Sequence, residues 1–341
     1  MKLRMPTYCK SFKCTADKCR DNCCIGWEID IDPSSAEYYK TVGGDFGNRL
    51  KENITSGDVC SFKMKGERCA FLNENNLCDI IINLGENALC QICRDHPRYF
   101  EWYSAVKEGG VGLCCEAAAK LILTQTEKFS VFETDCDDEG EDDYSPELYD
   151  YFLFARQQII SMLENEELPL SVRLSSVLSF AHKVQENADN YCFIKENITV
   201  SDSSLNIDMK NIARSFLELE IMDESWREYR QKLYDNIEQT QKLIDASSAH
   251  AEAVSRYLQN IAVYFIWRYF MKGVFTEEIF SYVFLCAVSV LYIERMFILS
   301  YLDGKKLTAD TCSILAKNYS KEIEYSFSNL QTICEMAYPG Q

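Results

Sequence analysis

Cysteines dominate the first third of this chain. Twelve of the 17 cysteines lie before residue 116, and eight of these form two separated groups. The first group contains Cys14, Cys19, Cys23 and Cys24, and the second contains Cys69, Cys78, Cys90 and Cys93. Thiolates are soft donors that suit zinc or an iron–sulfur cluster. Because two such groups can close a long loop around one ion or cluster, the spacing predicts a thiolate-bound metal site.

Disulfide bonds are the alternative use for so many cysteines. The start of the chain, Met1 to Tyr8, lacks the apolar run and cleavage site of a secretory signal. A chain of 341 residues can also bury a core that needs no disulfides. We therefore expect a cytoplasmic protein with reduced thiols. Because zinc sites often use the Cys90-x-x-Cys93 spacing, the residues alone leave zinc and iron–sulfur both open.

The overall composition limits the classes of partner. A hydrophobic content of 47% excludes a disordered chain. The formal net charge of −18 argues against a nucleic-acid partner, while it suits a cationic substrate such as a lysine side chain. Solubility alone would explain the same charge. The most apolar stretch, Ile279 to Ile293, is shorter than the roughly 20 residues of a spanning helix, so it predicts a buried helix and no transmembrane segment.

The elements that would position these residues are mainly helical. We predict a mainly α fold, with an irregular cysteine-rich metal-binding N-terminal module followed by an all-α helical bundle. The predicted domains are the module at 1–127, an exposed acidic linker at 128–144 and the bundle at 145–341. The linker prediction rests on the like charges between Glu133 and Asp143, which repel one another.

Helix signals support the predicted bundle. Ser145-Pro146-Glu147 has the N-cap, the first-turn proline and the acid that begin a helix. A short helix is predicted from Glu116 to about Glu127, and another begins near Ser171. Apolar periodicity predicts further helices at about 209–222, 224–247, 250–272, 276–302 and 307–337, the last one broken.

The flanking residues of the cysteines carry a family resemblance. Cys19, Cys23-Cys24, Cys69-x-Phe71-Leu72, Cys78 and Cys93-Arg94-x-x-Pro97 resemble the widespread zinc- or iron-chelating cysteine-cluster family. A fuller pattern is similar to that of the flagellin lysine-N-methylases. It comprises Met5-Pro6-x-Tyr8, Phe12-x-Cys14, Asn22-Cys23-Cys24-x-Gly26-Trp27-x-Ile29-x-Ile31-Asp32 and Cys93-Arg94-Asp95-His96-Pro97-Arg98-Tyr99. These motifs cover about residues 5–116.

The resemblance implies an activity and two cofactors. Such proteins transfer methyl groups from S-adenosylmethionine to lysine side chains of flagellin, and their cysteines bind a [4Fe-4S] cluster. It implies ligand roles among Cys19, Cys23, Cys24, Cys69, Cys78 and Cys93, with Cys90 as a further candidate. This set exceeds the four ligands of one site, and zinc remains the alternative metal.

The sequence signals for residues that carry out methyl transfer are weaker than those for the metal ligands. Glu108-Gly109-Gly110-Val111-Gly112 is the glycine cluster nearest to a nucleotide-binding turn, so Gly109, Gly110 and Gly112 are candidates for S-adenosylmethionine contact. A turn that leads into Cys114-Cys115 is the alternative interpretation. The attacking lysine must be neutral, and the candidate bases are His96, Asp95 and Tyr99.

Aromatic residues near the cysteines permit a further hypothesis. Trp27, Tyr99, Phe100, Trp102 and Tyr103 could wall a lysine slot through cation–π contacts, and core packing is the alternative. Two other functions compete with methylation: a zinc-stabilised protein-binding module without catalysis, and a redox or iron sensor.

Overall fold

The computed structural model describes residues 1–26, 28–57, 59–138, 140, 144–196, 198, 207–246 and 249–338. These residues form two compact units. The cysteine-rich unit spans Lys13–Tyr99, and the helical unit combines Met1–Phe12 with Phe100–Gln341. The predicted module boundary at residue 127 therefore does not coincide with the edge of the cysteine-rich unit.

The strands are short and belong to three sheets. They are β1 (Lys2–Pro6), β2 (Asp30–Ile31), β3 (Cys60–Ser61), β4 (Met64–Lys65), β5 (Arg68–Cys69), β6 (Arg98–Tyr103), β7 (Val106–Val111) and β8 (Val131–Asp135). The largest sheet has the order β6-β7-β1-β8, in which β1 runs parallel to β7 and antiparallel to β8. The other two sheets are the antiparallel pairs β2-β3 and β4-β5.

Helices make up most of the chain. The first five are α1 (Pro33–Thr41), α2 (Gly44–Glu52), α3 (Asp79–Leu84), α4 (Gln91–Asp95) and α5 (Glu116–Leu123). The others are α6 (Pro146–Leu163), α7 (Leu170–Asp189), α8 (Met209–Phe216), α9 (Glu224–Asp235), α10 (Ile237–Asp245), α11 (Ala249–Tyr269), α12 (Gly273–Thr276), α13 (Phe280–Leu302), α14 (Ala309–Glu324) and α15 (Phe327–Glu335). The prediction of a mainly α fold is confirmed.

The acidic segment contains a strand where an exposed linker was predicted. β8 pairs with β1 along its whole length, from Lys2 opposite Asp135 to Pro6 opposite Val131. Arg4 Nε lies 2.6 Å from a carboxylate oxygen of Glu133, and Lys2 Nζ lies 2.6 Å from Asp135. The linker prediction was wrong here because basic residues of β1 compensate the charges that were expected to repel. Residues 139 and 141–143 of the predicted linker lie outside the described residues.

The helical unit is built around α13. This helix is apolar on all sides, and it packs against α7, α10, α11, α14 and α15. By length and composition α13 could cross a membrane, but 83% of its most apolar window is buried inside the structure. The predicted buried helix is confirmed.

Several helix boundaries follow the predicted signals. Ser145 caps α6, because its hydroxyl accepts a hydrogen bond from the Leu148 amide at 3.3 Å. The predicted break in the last helix falls between α14 and α15, where Ser326 caps the second helix. The helix predicted at 224–247 is divided at Asn236, whose side chain bonds back to the carbonyl of Lys232.

A candidate thiol centre and an adjacent cleft

The cysteine-rich unit brings six of the seven predicted ligands together around one core. Backbone hydrogen bonding places the first cysteine group beside the second, because the Cys69 amide donates to the Cys24 carbonyl at 2.9 Å. Cys69 and Cys90 are buried in this core, and Cys24, Cys78 and Cys93 pack against it. Cys23 joins them through a thiol hydrogen bond with Cys24.

Two short helices position three thiols of the second cysteine group. Cys78 stands at the N-cap of α3, and a bridge between Leu72 and Cys78 fixes its approach. Cys90 stands at the N-cap of α4, and Cys93 lies one turn later in the same helix. A helix N-terminus favours negative charge, so the position of Cys90 suits a thiolate. At Cys78 burial outweighs the hydrogen bonds from the amides of Ile80 and Ile81 and raises the pKa of the thiol.

In each of two cysteine pairs, the hydrogen bond between the thiols lowers the pKa of one thiol and raises that of the other. The hydrogen bond from Cys24 lowers the pKa of Cys23 to about 7, and the same bond together with burial raises the pKa of Cys24. The hydrogen bond from Cys93 likewise lowers the pKa of Cys90, and the pKa of Cys93 is raised. One thiol of each pair is therefore predisposed to be a thiolate.

The other two thiols of the centre are neutral in character. Burial raises the pKa of Cys69 and of Cys78. Negative charge on Cys78 and Cys69 would raise the pKa of Cys24 further, and charge on Cys24 and Cys78 would raise that of Cys93. The six sulfurs therefore lie within electrostatic range of one another.

The chemistry of this donor set fits a thiolate-bound metal. Six soft donors in one unit suit zinc or an iron–sulfur cluster. In the part of the chain that the structure describes, however, no three His, Cys, Asp or Glu side chains are grouped as metal ligands. Four of the six thiols form two hydrogen-bonded pairs, Cys23 with Cys24 and Cys90 with Cys93, and the metal site stays a prediction.

Two cysteines differ from the predicted ligand set. Cys19 ends the 3₁₀ turn Ala16–Lys18 and is half-buried, outside the core that holds the other candidates. Cys60, on β3, was not predicted but packs against that core. Its flanking residues carry no motif, so the sequence offered only its position inside the module as a signal.

A cleft of about 500 Å³ lies on the cysteine-rich unit and includes two of the candidate bases. Its lining residues are Asp30, Ile31, Asp32, Pro33, Val59, Gln91, Ile92, Asp95, His96 and Arg98. It combines three carboxylates with apolar side chains, a combination that suits an aliphatic stem ending in a cation. Tyr99, the third candidate base, is not among the lining residues.

Asp32 connects the cleft to the thiol centre. Its carboxylate caps α1 by accepting from the Ser35 amide at 2.9 Å, and it accepts from the Gln91 amide at 2.8 Å. Burial raises the pKa of Asp32, but hydrogen bonds from Ser34, Gln91 and Ser35 outweigh burial and hold the pKa below its ordinary value. Gln91 also donates to Asp95 at 2.6 Å, so one hydrogen-bonded chain orders the cleft wall beside Cys90.

The glycine cluster occupies a strand rather than a turn. Gly109 and Gly110 are residues of β7, and Gly112 directly follows it. The Gly109 carbonyl accepts from the Trp267 indole at 3.0 Å, and the Leu113 amide donates to the Tyr264 hydroxyl at 3.1 Å. The prediction of a turn at Gly109 and Gly110 was wrong because both residues belong to β7, a central strand between β6 and β1. Contact with S-adenosylmethionine stays a prediction.

The aromatic residues of the proposed lysine slot have different surroundings. Tyr103 is buried and stacks on Phe275 at 5.5 Å, so core packing accounts for it. Trp102 is 41% exposed, and its ring together with that of Phe100 contacts Lys107. Trp27 lies outside the described residues.

A buried polar network in the helical unit was missed by sequence reasoning. The Glu324 carboxylate accepts from the hydroxyls of Tyr264 and Tyr269, each at 2.8 Å. It also accepts from Ser320 at 2.5 Å and lies 3.0 Å from an Arg268 nitrogen. The network joins α11 to α14. Its residues are scattered through apolar helices, where no spacing signal separates them from core positions.

Comparison with known families identifies the helical unit. A family model described as the FliB lysine N-methylase C-terminal domain matches residues 156–338, which is more than half of the chain. The chain belongs to this family. The matched range starts at Arg156 in α6 and ends after α15, so the FliB-type domain comprises the helices around α13.

Curated relatives carry related names. The chain is similar to the lysine-N-methylase of Salmonella typhimurium, with 26% identity over 136 residues that cover 38% of this chain and 34% of that protein. It is also similar to the flagellar biosynthetic protein FliU of Salmonella muenchen, with 26% identity over 136 residues that cover 38% of this chain and 80% of that protein. The chain thus spans about a third of the length of the first relative. No solved structure matches the chain.

Proposed function

We propose that this chain is a protein-lysine N-methyltransferase that modifies flagellin, with S-adenosylmethionine as the methyl donor and a cysteine-bound [4Fe-4S] cluster. The observation that carries the proposal is the match of residues 156–338 to the FliB lysine N-methylase family. The flagellar name of one relative supports flagellin as the substrate. We place the reaction in the cytoplasm, where thiols stay reduced.

The cysteine-rich unit supplies the ligands in this proposal. Four of the six clustered thiols would hold the metal, and the acidic thiols Cys23 and Cys90 are the first choices because each is already predisposed to be a thiolate. When bound, an iron–sulfur cluster supplies a redox-active iron centre. Cys19 keeps a ligand role only through the family resemblance.

The acidic cleft is the proposed entry for the substrate lysine. Asp30, Asp32 and Asp95 attract the ammonium group, while Val59 and Ile92 contact the aliphatic stem. A lysine must lose a proton before it attacks a methyl group. His96 lines the cleft and is the proposed acceptor of that proton, with Asp95 as the second candidate. Gly109, Gly110 and Gly112 remain the proposed contacts for S-adenosylmethionine.

A methylation assay with metal analysis tests the proposal. Anaerobically purified protein should contain iron and sulfide and should transfer labelled methyl groups from S-adenosylmethionine to flagellin. Cys69→Ser and Cys93→Ser should lose both the metal and the activity. Cys60→Ser is the matched control, because Cys60 packs on the same core outside the predicted ligand set, and this variant should keep both.

Three results would contradict parts of the proposal. Colourless protein with stoichiometric zinc would replace the cluster by a structural metal and would favour the protein-binding alternative. Iron-containing protein that transfers no methyl group would favour the redox sensor. Equal methyl transfer by wild type, Cys69→Ser and Cys93→Ser would remove the metal from the mechanism.

A further inference from the structure

Lys107 lies in a cage formed by two aromatic residues of β6 and by Asp138, which follows β8. This lysine is on β7, and its Nζ is 4.2 Å from the ring centre of Phe100 and 4.7 Å from that of Trp102, both on β6. The Nζ also donates to a carboxylate oxygen of Asp138 at 2.5 Å. The two rings are 6.4 Å apart and inclined by 55°. Two aromatic faces and one carboxylate therefore surround a single ammonium group.

The exposure of the cage shows that it is open to solvent on one side. The Lys107 side chain is only 15% exposed, although lysine side chains normally extend into water. Trp102 is 41% exposed, so its ring borders both the caged ammonium and the solvent. Trp102 also hydrogen-bonds to Asp138, which fixes the indole and the carboxylate relative to each other.

Two other lysines, Lys2 on β1 and Lys10 in the 3₁₀ turn that follows it, show how the cage differs from an ordinary contact. Lys10 lies over the single ring of Phe132 at 4.3 Å. Lys2 pairs with Asp135 at 2.6 Å and remains 52% exposed. Lys107 combines both kinds of contact and adds a second ring. Aromatic faces that surround an ammonium group are the usual recognition device for lysine derivatives.

We propose that Phe100, Trp102 and Asp138 form a binding site for a lysine side chain of a protein partner, and that Lys107 occupies this site when no partner is bound. The proposal depends on the proposed function only for the source of the lysine, which would be the protein substrate. The site shares no residue with the acidic cleft, and all of its residues belong to the helical unit.

The composition of the cage selects the state of the lysine. The Asp138 carboxylate needs an N–H donor, which an unmodified lysine has and a trimethylated lysine lacks. The site therefore favours the unmodified side chain, and a substrate would leave it after full methylation. Lys107 competes as a tethered ligand, because attachment to the chain gives it an effective concentration in the millimolar range or above.

Variants of Lys107 in the full chain test the site. Lys107→Ala empties the cage, whereas Lys107→Met leaves it filled by an uncharged side chain. The probe is Nα-acetyl-lysine N-methylamide, titrated by calorimetry without S-adenosylmethionine. Lys107→Ala should bind the probe at least about tenfold more tightly than wild type does, because the tethered competitor is gone. Lys107→Met should bind the probe less tightly than Lys107→Ala but more tightly than wild type, because a side chain without an ammonium group is a weaker competitor.

Further variants and probes locate the binding. Adding Trp102→Ala to Lys107→Ala should abolish the gain, and the norleucine and trimethyl-lysine analogues should bind more weakly than lysine. Lys2→Ala is the matched control, because it removes a lysine–aspartate pair of the same sheet without opening a cage. Circular dichroism verifies that each variant is folded.

Failure of this site can be distinguished from failure of methylation. Equal affinity in Lys107→Ala and wild type would overturn the cage, as would a gain that persists without Trp102. None of these measurements requires catalysis. A protein that binds lysine but methylates nothing would support the lysine-binding site and contradict the proposed methyltransferase activity.

Discussion

At the residue scale, Arg156 and Glu108 form a buried ion pair in the helical unit. Their side chains are 3% and 5% exposed, and they form a bidentate pair with distances of 2.5 and 2.6 Å. The guanidinium carbon also lies 4.4 Å from the ring centre of Trp267. Glu108 belongs to β7 and Arg156 to α6, so the pair fastens the sheet to the helices of the same unit.

Removal of one member of this pair should destabilise the helical unit strongly. Arg156→Met leaves the Glu108 carboxylate buried without its partner, and we expect a loss of about 3–5 kcal/mol in the free energy of unfolding. Urea unfolding followed by circular dichroism measures this loss. The double variant Arg156→Met, Glu108→Gln should recover much of it. Equal stability of the single variant and wild type would show that the pair is not required.

Individual site residues could be predicted from the sequence where the residue type is uncommon and its spacing is specific, as for the cysteines. Cysteines at specific spacings identified six thiols that the fold brings to one core. The partner of Glu108 was not predictable, because nothing in the sequence indicates which arginine of a helix faces a strand. Cys19 belongs to the motif but lies outside the core of the cysteine-rich unit. The motif therefore identifies candidate ligands but does not show which of them the fold brings together.

At the scale of elements, Asp32 joins two helices of the cysteine-rich unit. It caps α1 through Ser35 and holds the first amide of α4 through Gln91. Since Cys90 and Cys93 belong to the start of α4, this carboxylate positions two candidate ligands.

We predict that Asp32→Ala loosens both helices. Loss of such a cap costs about 1 kcal/mol, and the Gln91 amide also loses its acceptor. Because hydrogen bonds hold the pKa of Asp32 below its ordinary value, its contribution is present above the unfolded pKa and is lost as the pH falls. Hydrogen–deuterium exchange of residues 33–41 and 91–95 should rise, and the acid-side decline in stability should be smaller than in wild type.

Asp208→Ala is the matched control for this prediction. Asp208 caps α8 by accepting from the amides of Lys210 and Asn211 at 3.0 and 3.2 Å. Its removal should speed exchange in α8 but leave residues 91–95 protected. Faster exchange of residues 91–95 in the Asp208 variant, or unchanged exchange there in the Asp32 variant, would contradict the role of Asp32.

Elements with strong local signals were predicted well. The cap at Ser145 and the apolar length of α13 are local properties. α6 begins as predicted, and α13 ends at Leu302 as predicted but begins at Phe280 rather than at about residue 276. The four-stranded sheet was missed because β1 and β8 are far in sequence from the adjacent strands β6 and β7, and because β8 is acidic. Pairing between Arg4 and Glu133 depends on a contact between distant segments, which no local pattern reveals.

At the scale of the whole molecule, buried phenols and thiols limit stability at alkaline pH. Burial raises the pKa of Tyr149, Cys312 and Cys334 to about 12 in each case. The unfolded chain would release these protons nearer to the ordinary values of 10.0 for tyrosine and 9.0 for cysteine. Between those limits the folded state binds more protons, so the free energy of unfolding must fall as the pH rises.

We therefore expect stability to decline steadily above about pH 9, with a steeper decline above about pH 10. Urea unfolding at intervals from pH 8 to 11 measures the slope. Tyr149→Phe removes one contributing phenol, whose buried hydroxyl has no hydrogen-bond partner within the described residues. The free energy of unfolding of this variant should therefore decline less steeply with pH than that of wild type. Tyr191→Phe is the control, because Tyr191 is 80% exposed and should leave the slope unchanged. An identical slope in Tyr149→Phe and wild type would contradict this assignment.

The last prediction concerns removal of the proposed metal. All six clustered thiols belong to the cysteine-rich unit at 13–99, and the core of that unit is small compared with the core around α13. Small domains with thiolate-bound metals depend on the metal for their fold. Chelation under anaerobic conditions should therefore accelerate hydrogen–deuterium exchange in α3 and α4, while the amides of α13 and α14 keep their protection. Because the helical unit holds most of the helices, circular dichroism at 222 nm should change little. Unchanged exchange in α3 and α4 after complete loss of the metal would show that the cysteine-rich unit is stable without the metal. Equal loss of protection in both units would show that the metal stabilises the whole chain.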